Sequence, residues 1–201
     1  MIIGLHGLGR SGKDTVGDYL VKYHGFIKRS FADPLYDEVA SAFDVSVEFL
    51  KDHHTKTVPC KSMSIYRCKD IDFIVRMVNL LGGEEAAFYD RTSREILQWW
   101  ANDYQRIGDP KRYTRMLKEK IEHLRVSHHI VVPDLRHDIE AAMLLSYGAR
   151  FWHITREGTI NTGHSSDAPL YDTFTMTPLG NDGSIENLQQ KVNLLMGKST
   201  L

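Results

Sequence analysis

The strongest constraint on the fold of this chain is the segment Gly7-Leu8-Gly9-Arg10-Ser11-Gly12-Lys13. It lies between an apolar run, Ile2–His6, that reads as a buried strand, and an amphipathic pattern over 13–23 that reads as a helix. Glycine permits backbone torsions that turn successive N–H groups toward one centre, where they can cradle an anion. The positive end of the following helix points at the same place. A lysine at the first helical position is then placed to bridge phosphate groups as charge shifts between them. Gly7, Gly9, Arg10, Ser11, Gly12 and Lys13 are therefore the candidate phosphate contacts.

The residue after Lys13 is Asp14, where a hydroxyl commonly serves magnesium, and Thr15 follows. Asp14 either contacts Mg²⁺, directly or through water, or favours the helix N-terminus electrostatically. Thr15 is a phosphate donor in the first case.

Beyond this unit, apolar runs alternate with helical patterns, as a parallel sheet covered on both faces requires. A second strand is predicted at 26–31. Asp33 and Pro34 open a helix through about residue 43, with Asp33 as its N-cap. Residues 44–90 read as an irregular or helical insertion. Helices are predicted at 92–107 and 110–124, a strand at 129–133, a helix at 137–147 and a strand at Arg150–Thr155. A polar loop follows, then a short strand at 174–176 and a closing helix over 184–196 with Ser184 as N-cap.

The stretch His129-Ile130-Val131-Val132-Pro133-Asp134-Leu135-Arg136 places an acid and an arginine at the carboxyl end of a buried strand, the end that faces the ligand crevice in open α/β sheets. Asp134 there can orient water around Mg²⁺, and Arg136 can grip a phosphate bidentately. Glu140 falls within one helical turn of Arg136.

Several segments together resemble the phage deoxynucleoside monophosphate kinases, a branch of the P-loop nucleoside monophosphate kinases. They are Gly12-Lys13-Asp14-Thr15, Phe31-Ala32-Asp33-Pro34-Leu35, Arg94 with Gln98, Val131 through Glu140, Arg156 with Gly158, Thr162 with His164, and Asn181-Asp182-Gly183-Ser184. They occur in family order over roughly residues 2 to 195, with residues 44–90 matching poorly. The resemblance implies a three-layer α/β/α P-loop fold in one domain, with a helical substrate-binding insertion over about 44–125 and a short lid over about 156–170. It implies transfer of the γ-phosphoryl group of ATP, with Mg²⁺, to a deoxynucleoside 5′-monophosphate. By it, Asp33, Arg94, Gln98 and Arg136 line the monophosphate site, Arg156 and His164 belong to the lid, and Asn181 belongs to the nucleotide pocket. Arg94 and Gln98, four apart, share one helix face. The family's small pair after Gln98 is replaced by Trp99-Trp100, of which one either stacks on the substrate or packs in the core. The glycine-lysine-aspartate loop is also similar to that of animal phosphomevalonate kinases, which is a second reading. A nucleotide-binding switch without acceptor is a third.

Composition narrows the partners. The chain has 201 residues, 42% of them hydrophobic, with a formal net charge of -1. No global field draws it to nucleic acid or to an anionic membrane, and no apolar run approaches the ~20 residues of a membrane span. Two cysteines, Cys60 and Cys68, form no secreted-type disulfide framework, and with His53 and His54 they match no familiar zinc spacing. The expectation is a cytoplasmic protein acting on small molecules, a homodimer by family analogy. Arg67, Arg91 and Arg112 are further cations to which the sequence assigns no partner.

Overall fold

Strand β1 (Ile2–His6) is buried along its whole length. It pairs in parallel with β3 (His129–Val132) on one side and with β4 (Arg150–Thr155) on the other. The sheet is extended beyond β3 by β2 (Phe26–Lys28) and beyond β4 by β5 (Met176–Gly180), giving the order β2-β3-β1-β4-β5. This is a computed structural model, and it describes residues 1–160 and 170–197. Two compact units make up the chain, residues 1–31 with 114–201, and residues 32–113.

Period-two alternation sorts the side chains of the first unit between two faces. Ile2, Ile130, Val132 and Phe151 pack with Leu117 and Ile121 of helix α8 (Arg112–Leu124) and with Ala141 and Leu144 of α9 (Asp138–Leu145). Ile3, Leu5, Val131, Trp152 and Ile154 pack on the other face with Val16 and Leu20 of α1 (Lys13–His24) and Leu188 and Val192 of α10 (Ile185–Leu195). The unit is thus an α/β/α sandwich around an all-parallel sheet, the fold class expected from the sequence. Ser184 caps α10 as predicted, its side chain accepting from Asn187 N.

Three local expectations are corrected. The last strand is not 174–176 but Met176–Gly180. Pro178 and Gly180 disguise it, and a proline is tolerated there because β5 is an edge strand. The second strand stops at Lys28, with one further ladder bond from Arg29 N to Val131 O at 3.0 Å. Asp33 is not the N-cap of α2 (Asp33–Phe43) but its first residue, with Ala32 at the cap position.

The second unit is helical apart from an isolated antiparallel bridge between Cys60 and Arg91: α2, α3 (Val47–Lys51), α4 (His53–Thr57), α5 (Ile71–Leu81), α6 (Ser93–Gln98) and α7 (Arg106–Gly108), with short 3₁₀ turns between α4 and α6. Its core is built from residues such as Val39, Phe43, Leu50, Met63, Phe73, Met77, Ile96 and Trp100. Helix α6 starts on a capping box between Thr92 and Glu95. The single helix predicted over 92–107 is interrupted by a π-helix over Trp99–Gln105, in which Arg106 N bonds Ala101 O. Its residues are tied sideways, Trp100 Nε1 to Glu38 at 3.0 Å, Tyr104 Oη to Asp70 at 2.9 Å, and Asp103 O to Arg76 Nε at 3.0 Å. Hydrophobic period cannot register such ties.

Glu38 is the polar hub of this unit. Its carboxylate accepts from Trp100, from Arg112 Nε at 3.0 Å and Nη2 at 2.5 Å, and from Tyr113 Oη at 3.1 Å. Burial, then the adjacent Glu38 carboxylate, pushes the Tyr113 phenol well above its usual range.

Candidate functional site

In the first unit the loop between β1 and α1 adopts torsions that glycine makes accessible. Gly7 has φ 147° and Gly12 φ 107°. A Cβ on Gly7 would run into the Ile154 carbonyl, and one on Gly12 into Asn181 Nδ2, so both positions exclude a side chain. Gly9 and Arg10 are exposed, and Arg10 holds a left-handed φ of 64°, a strain of roughly 1 kcal/mol in a non-glycine residue. Lys13 is buried and its ammonium donates to the Gly7 and Leu8 carbonyls, both at 2.6 Å. The cation is therefore held across the loop. Ser11 is fully buried and its Oγ has no hydrogen-bond partner among the described residues, an uncommon state for a buried hydroxyl.

Asn181 secures this loop from behind. Its Nδ2 donates to Ser11 O at 2.8 Å and its backbone N to Thr155 O at 2.8 Å. Next to it, Asp182 Oδ1 accepts from Glu157 N at 2.6 Å. The Asn181 amide thus spans the end of β4 and the Gly7–Lys13 loop.

The chain leaves β1 toward β2 and leaves β3 in the opposite direction toward β4. The carboxyl ends of β1 and β3 are consequently neighbours at a topological switch point, where ligand crevices form in such sheets. Asp134 lies there half-buried, its Oδ1 accepting from Phe31 N at 3.1 Å and its Oδ2 from Ser30 Oγ. Arg136 is half-buried two residues on. Glu140 is buried, and its Oε2 accepts from Arg136 N at 2.9 Å and His137 N at 3.1 Å. It caps α9 and fixes the backbone that carries Arg136.

His6, the last residue of β1, is buried, and its Nδ1 lies 3.1 Å from Leu135 O. Its ring stacks on that of His153, with centroids 5.2 Å apart and planes at 28°. Burial holds the pKa of His6 below the usual imidazole range against the opposing bond to Leu135, with His153, Lys13 and Arg136 adding to the depression. Burial and then Lys13 lower that of His153, whose Nδ1 has no hydrogen-bond partner among the described residues. Neither histidine belongs to a motif of the sequence; the signal each leaves there is a titratable residue inside an apolar strand, one of them immediately before Gly7.

Asp14 and Thr15 are exposed on the first turn of α1. Asp14 is 3.9 Å from Lys28 Nζ, which Asp18 holds at 2.6 Å. Arg156 is exposed at the end of β4, and its carbonyl accepts from Thr159 Oγ1 at 2.8 Å. His164 and Thr162 lie outside the described residues.

In the second unit, Arg94 and Gln98 are both exposed on α6. Trp99 is half-buried, with the Arg91 guanidinium 5.1 Å from its ring centroid, whereas Trp100 is in the core. Asp33 pairs with Lys51 at 4.0 Å. Arg112 is committed to Glu38, and Arg67 lies 5.4 Å from the Tyr66 ring centroid.

Among the described residues no three His, Cys, Asp or Glu side chains converge as a ready-made metal cage. Magnesium does not require one, since it usually keeps several waters and takes one or two carboxylates beside substrate phosphates. Asp14 and Asp134 are hard oxygen donors of that kind. Asp14 has 85% of its side chain exposed, and Asp134 presents its carboxylate just past the carboxyl end of β3. The donor set fits the ion.

No protein-family model matches the chain, and no curated protein matches it. Among solved structures it is similar to an unliganded sugar kinase from Janibacter sp., at 11% identity and a TM-score of 0.47, over 98% of this chain and 95% of that one. A likeness that distant informs neither the site nor the substrate.

Proposed function

We propose that the protein is an ATP- and Mg²⁺-dependent kinase that phosphorylates a deoxynucleoside 5′-monophosphate to the diphosphate. The observation that carries this reading is the conjunction, at one switch point, of the Gly7–Lys13 loop torsions with the Asp134 and Arg136 segment. Loop N–H groups and the α1 N-terminus bind the donor phosphates, and Lys13 neutralises charge between the β- and γ-groups. Gly7, Gly9, Arg10, Ser11, Gly12 and Thr15 contribute to that cradle, and Asn181 holds its shape. Asp14 and Asp134 would hold magnesium through its waters. When bound, the ion neutralises charge developing on the phosphate oxygens.

Arg94, Gln98, Trp99 and Asp33 recognise the acceptor in this reading. The arginine takes phosphate, the carboxamide a base edge, and the indole an apolar face. An oxygen of the acceptor phosphate attacks the γ-phosphorus. The bond from that phosphorus to the bridging oxygen breaks, and ADP leaves with the electron pair. Arg136 and Arg156 stabilise charge on the transferred group. Glu140 serves by fixing the Arg136 backbone, and His164 by contacting phosphate from the lid. Small molecules are the partners, not nucleic acid or membrane, and the setting is cytoplasmic, with a homodimer as the assembly.

The test is ADP release from Mg-ATP with each deoxy- and ribonucleoside monophosphate and with phosphomevalonate, with Lys13→Ala as control. Turnover on a deoxynucleotide that the variant loses supports the proposal. Turnover on phosphomevalonate alone transfers the assignment to a small-acid kinase. ATP binding without turnover on any acceptor points to a switch module.

A further inference from the structure

His6 touches both anion-holding segments of the first unit. It is covalently next to Gly7, and its Nδ1 lies 3.1 Å from the carbonyl of Leu135, the residue between Asp134 and Arg136. A carbonyl only accepts, so Nδ1 carries the proton and the lone pair resides on Nε2. The stacked His153 ring fixes the plane in which that donor points. The register places the two rings side by side on adjacent strands. The charged groups that act on the imidazole are Lys13 from α1 and Arg136 from the loop after β3, and His153 faces it from β4. A second proton on the ring would add a cation beside two others, so the working form is neutral.

Glu140 holds Arg136 from the α9 side through the backbone N–H. On the β1 side the Leu135 side chain lies over Gly4, and a directed tie to its backbone is the His6 bond, one residue before Arg136. We infer that His6 is a positioning residue that keeps residues 134–136 in register with the phosphate loop, so that Arg136 reaches the same anion as Lys13. The inference rests on the nucleotide-binding reading above and adds a residue outside the phosphate-loop pattern.

The experiment measures Mg-ATP affinity by calorimetry, with melting temperature alongside, for the intact protein and for His6→Asn, His6→Gln, His6→Leu, Arg136→Ala and the double variant His6→Leu/Arg136→Ala. An asparagine amide donates from near the Nδ1 position, whereas a glutamine amide reaches past it. His6→Asn should stay within about threefold of the parent, while His6→Leu and His6→Gln should each lose roughly tenfold, the effect of one hydrogen bond that orders a charged contact. In the Arg136→Ala background the leucine change should cost less than about twofold, because residues acting through one another are not additive. If His6→Leu fails to fold, the Asn and Gln pair decides the matter alone. Equal affinity for Asn and Gln, or the same loss with and without Arg136, would make His6 a packing residue and overturn the inference. Failure of the intact protein to bind ATP removes the nucleotide reading itself, which is a separate result from a flat mutant series.

Discussion

The Gly7–Lys13 loop and the core of the helical unit hold their shapes in opposite ways. From Gly7 to Lys13 the conformation is dictated by backbone: two glycine torsions, a strand before, a helix after, and carbonyls that accept a lysine. In residues 32–113 the shape depends on side chains far apart in sequence, with Trp100, Arg112 and Tyr113 meeting on Glu38 and Tyr104 meeting Asp70. A backbone-determined site tolerates change around it and fails abruptly when a glycine or the lysine is altered. A side-chain hub fails by degrees, through stability.

That contrast sets the order of expected effects. Lys13→Ala should lower turnover by a factor of about 10²–10³, the usual loss for one preorganised charge stabiliser, while the protein still melts cooperatively. A melting transition that collapses with turnover would put the loop and the core in the same class. Glu38→Ala should destabilise by about 2–3 kcal/mol, as hydrogen bonds to a charged hub are removed, measured by urea unfolding. Since Arg112 is partly exposed, a larger value would show that the hub is drier than it looks. Asn181→Ala should weaken ATP by roughly tenfold, because the Ser11 carbonyl loses its donor. Unchanged affinity would show that the loop keeps its shape unaided. The smallest effect concerns pH. His6 and His153 both have lowered pKa values when folded, so the unfolded chain takes up protons first as pH falls through about 6.5. Stability is therefore complete above that value and declines below it, and His6→Asn should make the decline shallower in melting curves recorded from pH 8 to pH 5.

The same contrast explains what could be read from the sequence. Burial on both faces gives β1, β3 and β4 apolar centres, and the bounds of β1 and β4 follow directly. Strand order did not follow, because pairing in a parallel sheet leaves no local mark. β5 was displaced by two residues because Pro178 suppresses the strand signal. The helix over 92–107 was read through the π-helix, since the residues that tie it sideways, Glu38, Asp70 and Arg76, lie well upstream. In the site, Gly7 through Lys13 were legible because their spacing is the mechanism. His6 was not, because a histidine inside an apolar strand looks like any other buried residue until the loop after β3 is seen beside it. Arg91 and Arg112 are visible in the sequence as cations, but only the folded chain shows them packed on Trp99 and bound to Glu38.

The margins of the sheet carry a consequence for assembly. One edge strand, β2, is three residues long, and the other, β5, is interrupted by Pro178, which has no N–H to offer. A neighbouring chain seeking to extend the sheet would find a template too short on one side and broken on the other. Strand-to-strand fusion of two copies is thereby discouraged at both rims, and self-association has to use surfaces other than the sheet edges.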